Sequence, residues 1–293
     1  MPSAVSLPRI STNVRFAAST LLFPELAGAW AERLFLTPPR PKDAAAHALD
    51  LLDAKSGFLE HKGRAIATWT WGHRSHGAPA VLLAHGWGGY AAQMRAFVFP
   101  LLCEGYRVVA FDQPAHGVSE GKLTGLPDFA SVLAKVSAQH EVQAVIGHSL
   151  GATAAALAAA WGKFGPQKIV LVSPPSDLVG YSQRFARWHW MPERVRRAMQ
   201  SAIEDRYGVQ WEKFEVKNLG SRLSAQALVI HDWDDRVVPW NQGAEFARQW
   251  PGAQLLTTNA LGHRRILEDE GVTRAATDFI TGRATLPAPA PLY

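Results

Sequence analysis

The chain carries one cysteine, Cys103, in 293 residues, so no internal disulfide can staple it. In its apolar, helix-like surroundings that thiol is expected to be a small buried residue. Charge is also sparse. Charged residues make up 19% of the chain, the formal net charge is +5, and the basic residues form no long run. A basic face of the kind that binds nucleic acid is therefore not expected. No stretch reaches the roughly 18 apolar residues that a membrane-spanning helix needs. Phe16 to Leu22 follow Arg9 and Arg15, but Pro24, Glu25, Glu32 and Arg33 interrupt what comes next, which makes a poor secretory signal. No internal repeat is present. These absences lead to the expectation of a cytoplasmic protein with no nucleic-acid partner and no integral membrane segment, and they leave the oligomeric state unread.

What is present is an alternating pattern. Hydrophobic residues make up 47% of the chain, enough to bury a large core. Residues 58 to 71 read as an antiparallel hairpin turning at Lys62-Gly63. Short apolar runs then suit buried parallel strands at Ala80–Ala84, Val108–Phe111, Val142–Ile146, Ile169–Val172, Leu228–Ile230 and Gln254–Thr257. Helical patterns fall between them near 90–104, 125–139, 151–162, 241–250 and 271–281. This alternation predicts an α/β protein with a doubly wound, mostly parallel sheet, whose ligand site lies at the carboxyl ends of the strands.

The 55 residues from Ser173 to Ala227 break the alternation. A structureless loop of that length is improbable. Tyr181, Phe185 and Trp188, and then Val195, Met199 and Ile203, recur at helical spacing. The expected organisation is a helical extension over 1–54 packing on the core, with Trp30, Leu34 and Phe35 on a helix ended by Pro38-Pro39. The core covers 55–173 and 224–282. A helical cap, or lid, over 174–223 is inserted after the sixth strand. A Pro-rich extended or disordered tail runs from 283 to 293.

Residues 147 to 151 read Gly-His-Ser-Leu-Gly, between an apolar run and the small-residue helix pattern Ala152–Trp161. A strand, G-x-S-x-G and a helix in that order make a nucleophile elbow. The serine takes a strained backbone, and the glycines are needed where a side chain would strike the neighbouring strand or helix. Ser149 is thereby held above the sheet beside a helix N-terminus whose N–H groups can bind an oxyanion. Three further motifs sit at strand ends. His85-Gly86-Trp87-Gly88-Gly89 can present backbone donors, and the expected oxyanion pair is the N–H of Trp87 and the N–H of Leu150. His85 itself is expected to brace the loop. His231 to Pro239 offers Asp232, Asp234 and Asp235 as rival acids to orient a histidine. Leu261-Gly262-His263 follows the last strand, and among 11 histidines His263 is the best-placed general base.

With His85-Gly86-Trp87-Gly88, Phe111 to Ser119, Gly147 to Gly151, His231 to Pro239 and Gly262-His263 in view, the chain resembles proteins of the α/β-hydrolase fold over about residues 55 to 282. In the family pattern H-G-x-x-D-x-x-V-P the acid is the fifth residue, which implies Asp235 and leaves Asp232, where glycine is usual, a weak rival. Ala115 also stands where family members commonly have glycine. Ser119 falls in a family loop and is not implied as the nucleophile. The resemblance implies a Ser149–Asp235–His263 triad. A serine at the elbow disfavours the dehalogenase and epoxide-hydrolase chemistries, which use aspartate, and leaves acyl chemistry: esterase, lipase, thioesterase, peptidase or acyltransferase. Fold membership alone does not select among these.

The reading is a serine esterase that cleaves a small-molecule carboxylic ester through an acyl-enzyme and needs no metal or organic cofactor. A thioesterase or acyltransferase on the same triad is the alternative, and a non-catalytic binding protein on the same scaffold is disfavoured by the intact triad. Phe185, Trp188, Gly86 and His148 are the candidate substrate contacts, with short to medium uncharged acyl esters expected over long-chain triglycerides.

Overall fold

The computed structural model describes residues 24–40, 47, 51, 53–72 and 77–283. The expectations for Phe16 to Leu22 and for the Pro-rich tail beyond Arg283 lie outside the described residues. In chain order the helices and strands are α1 (Pro24–Phe35), β1 (Lys55–His61), β2 (Arg64–Trp71), β3 (Ala80–Ala84), α2 (Val98–Cys103), β4 (Arg107–Phe111), α3 (Leu126–Ser137), β5 (Val142–His148), α4 (Leu150–Ala160) and β6 (Lys168–Val172). They continue with α5 (Leu178–Trp188), α6 (Glu193–Tyr207), α7 (Val216–Leu219), β7 (Gln226–Asp232), α8 (Trp240–Gln249), β8 (Gln254–Thr258), α9 (Gly262–Arg265) and α10 (Glu270–Thr281). Among the described residues, no helix is long and apolar enough to cross a membrane.

The chain divides into two compact units, one of which holds residues 38–176 and 216 onward. It contains an eight-stranded sheet in the order β1-β2-β4-β3-β5-β6-β7-β8. β1 and β2 form the expected hairpin, with Lys62 and Gly63 both at positive φ in a tight turn. β2 meets β4 antiparallel, and every pairing from β4 to β8 is parallel. From β3 the chain first steps to β4 on one side and then crosses back to β5 on the other. In open α/β sheets such a reversal marks the place where a crevice forms, here the carboxyl ends of β3 and β5. The two glycine-rich turns begin there.

The strands are buried on both faces because their apolar runs are continuous. All five residues of β3 are buried. Val81, Leu83, Ile146, Val170 and Ile230 share one core with α2 and α10. Residues 151 to 158 of α4 are all buried, and their predominance of alanine lets this helix lie close on the sheet. Cys103 departs from the expectation of burial and is exposed. Helix α2 buries Val98 and Leu101, three residues apart on one face, and Cys103 ends the helix off that face.

Residues 24–37 and 177–215 form the other unit. Helix α1 packs on α6, so closely that a Cβ on Gly28 would lie 2.9 Å from the Ala198 Cβ. Phe35 collects Tyr181, Phe185 and Trp211 around its ring, with centroids at 5.7, 5.0 and 5.7 Å. Asp177 caps α5 by accepting from the Gly180 N–H. Buried Arg196 ties Glu193, Ser182 and Gln200 together. The sequence reading sets the N-terminal helix on the core and extends the cap to 223. In the structure α1 shares its unit with α5 and α6, and residues 216–223 belong with the sheet. Gly220 shows why, because any Cβ there would strike the Gln249 carbonyl at 2.0 Å.

Candidate active site

The elbow after β5 has the geometry its motif demands. Ser149 sits at φ 51 and ψ −124, a region that L-residues rarely adopt. A Cβ on Gly147 would lie 2.5 Å from the Ala152 Cα, and one on Gly151 would lie 2.3 Å from the His85 carbonyl oxygen. Both positions are closed to any side chain, so the strand can turn into α4 within one residue. The Ser149 N–H is fixed on Val172 O at 2.9 Å. Its hydroxyl has no hydrogen-bond partner among the described residues.

The loop after β3 runs against the elbow. A Cβ on Gly86 would meet the Ser149 Cβ at 2.8 Å, so glycine is what allows the loop to pass. Two neutral histidines shape it. His85 donates from Nδ1 to Gly86 O and accepts the Gln113 N–H on Nε2. His116 donates from Nδ1 to Pro114 O and accepts the Gly88 N–H on Nε2 at 2.9 Å. Burial pushes the His85 pKa well below the ordinary histidine value and that of His116 down to about 4, so each keeps one donor and one acceptor. Trp87 stacks on Phe129. Among the described residues neither the Trp87 N–H nor the Leu150 N–H has a hydrogen-bond partner.

A third loop supports this one. Buried Asp112 accepts the Ala91 N–H at 2.7 Å and the Val118 N–H at 2.8 Å. Burial pushes its carboxyl up to about 6, against the pull of those two donors and of Arg40. Ala115, at φ 64, holds a left-handed conformation that glycine would take more easily. Arg40 grips that stretch through the carbonyls of Ala115, Ser119 and Gly121. Ser119 bridges backbone groups of Ala67 and Asp112 and is buried, which fits a structural residue. Asp112 and His116 lie within the Phe111–Ser119 motif, but the backbone groups that they hold are not legible in it, and Arg40 lies outside every motif.

The acid and the histidine meet at the ends of β7 and β8. His263 Nδ1 donates to Asp235 Oδ2 at 2.7 Å. Burial alone would raise the Asp235 carboxyl, but hydrogen bonds from His231 and His263 and from the Val238 N–H hold it well below the usual carboxylate range. Of the two rings, His263 is the principal partner. His231 Nε2 lies 3.5 Å from Asp235 and only 2.9 Å from Val238 O, so its proton goes chiefly to that carbonyl. Asp234 is exposed and accepts only the Ala260 N–H from this region. Asp232 is fully buried and faces the turn that carries His263.

His148 joins the elbow to that turn. Its ring lies 4.7 Å from the His263 ring, and its Nε2 donates to His263 O at 2.8 Å. Of the residues expected to touch substrate, Gly86 is at the elbow, whereas the His148 side chain is buried and its Nε2 is engaged by backbone. Phe185 packs on Phe35 in its own unit, and Trp188 there is 61% exposed. A depression of about 410 Å³ opens beside His263, lined by Asp234, Arg236, Val237, Arg265 and neighbouring backbone, with Ser149 outside it. Among the described residues no group of three or more His, Cys, Asp or Glu side chains is placed to hold a metal ion.

The model of the alpha/beta hydrolase family matches residues 81–276. A dihydrolipoyllysine-residue acetyltransferase component of an acetoin cleaving system from Cupriavidus necator is 33% identical over 138 residues, covering 44% of this chain and 35% of the relative. The chain thus spans about a third of the length of that curated relative. Among solved structures, an esterase from Pyrococcus furiosus superposes with a TM-score of 0.62 at 23% identity, over 84% of this chain and 99% of the other. A thioesterase domain from the curacin biosynthetic pathway superposes with a TM-score of 0.57 at 17% identity, over 78% and 99%. At these identities the structural likeness speaks for the fold.

Proposed function

The chain belongs to the alpha/beta hydrolase family, and from that premise we propose that it is a serine hydrolase acting on small-molecule carboxylic esters. What supports the reading is a strained elbow serine together with a histidine bonded to a buried carboxylate at 2.7 Å, on a turn that His148, the residue before the serine, reaches through its Nε2. In the proposed reaction His263 Nε2 removes the Ser149 proton as the hydroxyl oxygen attacks the ester carbonyl. Asp235 holds the proton on Nδ1, which leaves Nε2 free to accept, and stabilises the imidazolium that forms. The Trp87 and Leu150 N–H groups receive the oxyanion, each contributing about 3 kcal/mol to lowering the barrier. His263 then protonates the leaving alcohol, water takes its place, and the same steps in reverse release the acid and restore Ser149. For this transfer the Ser149 hydroxyl and His263 Nε2 must come within hydrogen-bond reach of each other.

Ser149→Ala tests this directly. It should abolish labelling by a fluorophosphonate and nearly all ester hydrolysis while leaving the thermal transition in place. Turnover at the wild-type level would refute the assignment. Hydrolysis should also survive EDTA.

A second reading shares the acyl-enzyme but hands the acyl group to an acceptor other than water. The similarity to an acetyltransferase component favours keeping it. Product ratios with added alcohols or thiols separate the two, since transfer that outruns hydrolysis at millimolar acceptor would favour the second. The assignment of Phe185 and Trp188 to substrate remains a proposal from sequence. It expects Trp188→Ala to shift the preferred acyl length while the labelling rate of Ser149 stays unchanged.

A further inference from the structure

The proposed triad accounts for three side chains, yet two others act on the main chain of the turn that carries the base. Asp232 ends β7 and is fully buried. Its carboxylate accepts from the Asp234 N–H at 3.0 Å, the Thr258 hydroxyl at 2.7 Å, the Leu261 N–H at 3.1 Å and the Gly262 N–H at 2.9 Å. Four donors saturate the lone pairs of a carboxylate. Two of them are the peptide N–H groups of the residues immediately before His263. On the far side of that residue the His148 Nε2–H donates to the His263 carbonyl at 2.8 Å. The His148 ring is buried, and its Nδ1 has no hydrogen-bond partner among the described residues. Among the described residues its hydrogen bond is to the base's own peptide.

This turn needs such holding. Leu261, Gly262 and His263 are all partly exposed, and Gly262 sits at φ 68; Leu261 packs against the core, while Gly262 and His263 are placed by polar contacts. A general base works only within hydrogen-bond reach of its proton, and a displacement of about 1 Å can cost about 100-fold in rate.

We infer that Asp232 and His148 are positioning residues that lock the peptide of His263 from its two sides, leaving Asp235 to orient the ring. This rests on the reading of His263 as the general base. An amide at position 232 would present an NH₂ to donors and lose part of the grip. Position 148 needs a donor where Nε2 now lies and nothing at Nδ1.

The test measures kcat and KM for p-nitrophenyl acetate, with the thermal transition, for Asp232→Asn, His148→Phe and His148→Gln, each alone and in a His263→Ala background. Asp232→Asn should lower kcat about 10- to 100-fold with KM within about threefold of wild type. His148→Phe should lower kcat about tenfold, and His148→Gln, whose amide supplies a donor at the same reach, should recover most of it. In the His263→Ala background none of the three should lower the residual rate further, because nothing is left to position. Losses of equal size in both backgrounds would overturn the inference, as would Phe and Gln behaving alike at position 148. If Asp232→Asn does not fold, the His148 pair decides alone. If His263→Ala itself keeps wild-type activity, the base assignment fails and this inference with it. A deep loss in His263→Ala beside unchanged Asp232→Asn and His148→Phe would overturn the positioning role only.

Discussion

Around Ser149 the chain is held by what its neighbours lack. Cβ atoms at Gly147 and Gly151 would fall 2.5 and 2.3 Å from backbone atoms, and Gly86 passes the serine only because it has no side chain. Around His263 the chain is held by what its neighbours bring. Asp235 takes the ring, while Asp232 and His148 take the peptide groups, all through hydrogen bonds near 2.7 to 3.1 Å. The elbow is therefore a steric construction and the base turn a polar one. The first should fail by crowding and the second by loss of a single charged or donor group.

The sharpest break in the polar half is Asp235→Asn. It should lower kcat by about 10⁴-fold with the fold intact, because an amide favours the wrong His263 tautomer. Steady-state kinetics beside a circular dichroism melt would check both parts. Next comes the steric half. Gly151→Ala drives a Cβ into the carbonyl oxygens of Ala84 and His85. It should cost about 1–3 kcal/mol in urea denaturation and about 100-fold in kcat, since the backbone that frames the serine must move. Wild-type kinetics in Gly151→Ala would erase the distinction drawn between the two turns.

A third prediction concerns pH. Burial lowers the pKa of His116 to about 4 and that of His148 to about 3, from 6.5 in the unfolded chain. A depressed histidine contributes stability that is present above the unfolded value and is lost as pH falls toward the folded one. At pH 5 each should have lost about 2 kcal/mol relative to pH 8. Asp112 has the opposite sign. Its pKa is raised to about 6 from 3.8, so between those values the folded state holds a proton that the unfolded state lacks. That offsets about 1 kcal/mol at pH 5. Urea midpoints should thus fall on acidification from pH 8 to pH 5, and less steeply in His148→Phe. A flat profile in the wild-type protein would contradict the buried neutral histidines. The smallest effect belongs to Asp234→Asn, which removes one exposed acceptor and should change kcat by less than about threefold.

The distinction between the turns also explains what could be read from the chain. Steric rules leave marks in sequence. Continuous apolar runs place β3 to β7 within two residues at each end, and G-x-S-x-G before an alanine-rich helix announces the elbow, because only glycine satisfies those approaches. Polar grips leave weaker ones. Asp232 reads as a rival acid, since the donors that define its position, Thr258, Leu261 and Gly262, lie 26 to 30 residues downstream. His148 reads as a substrate contact because it adjoins Ser149, and only the fold brings the His263 carbonyl, 115 residues away, to its Nε2. Periodicity over 90–104 suggests one helix where the chain forms a 3-10 stretch followed by α2. Likewise the helical period of 178–207 gives the inserted helices but not their association with α1, which depends on small residues meeting at Gly28 and Ala198.

The exposed end of α2 has a practical consequence. Cys103 is the one thiol in the chain, and it lies just before the amino end of β4, while the proposed chemistry sits at the carboxyl ends. A five-residue strand separates the two levels by about 15 Å. A maleimide dye should therefore attach once per molecule without touching the proposed triad, and thiol reagents that abolished hydrolysis would be reporting bulk at α2, not a cysteine nucleophile. Paired with a second cysteine introduced at the exposed Trp190, the same handle would give a spectroscopic ruler between the two units, readable during turnover.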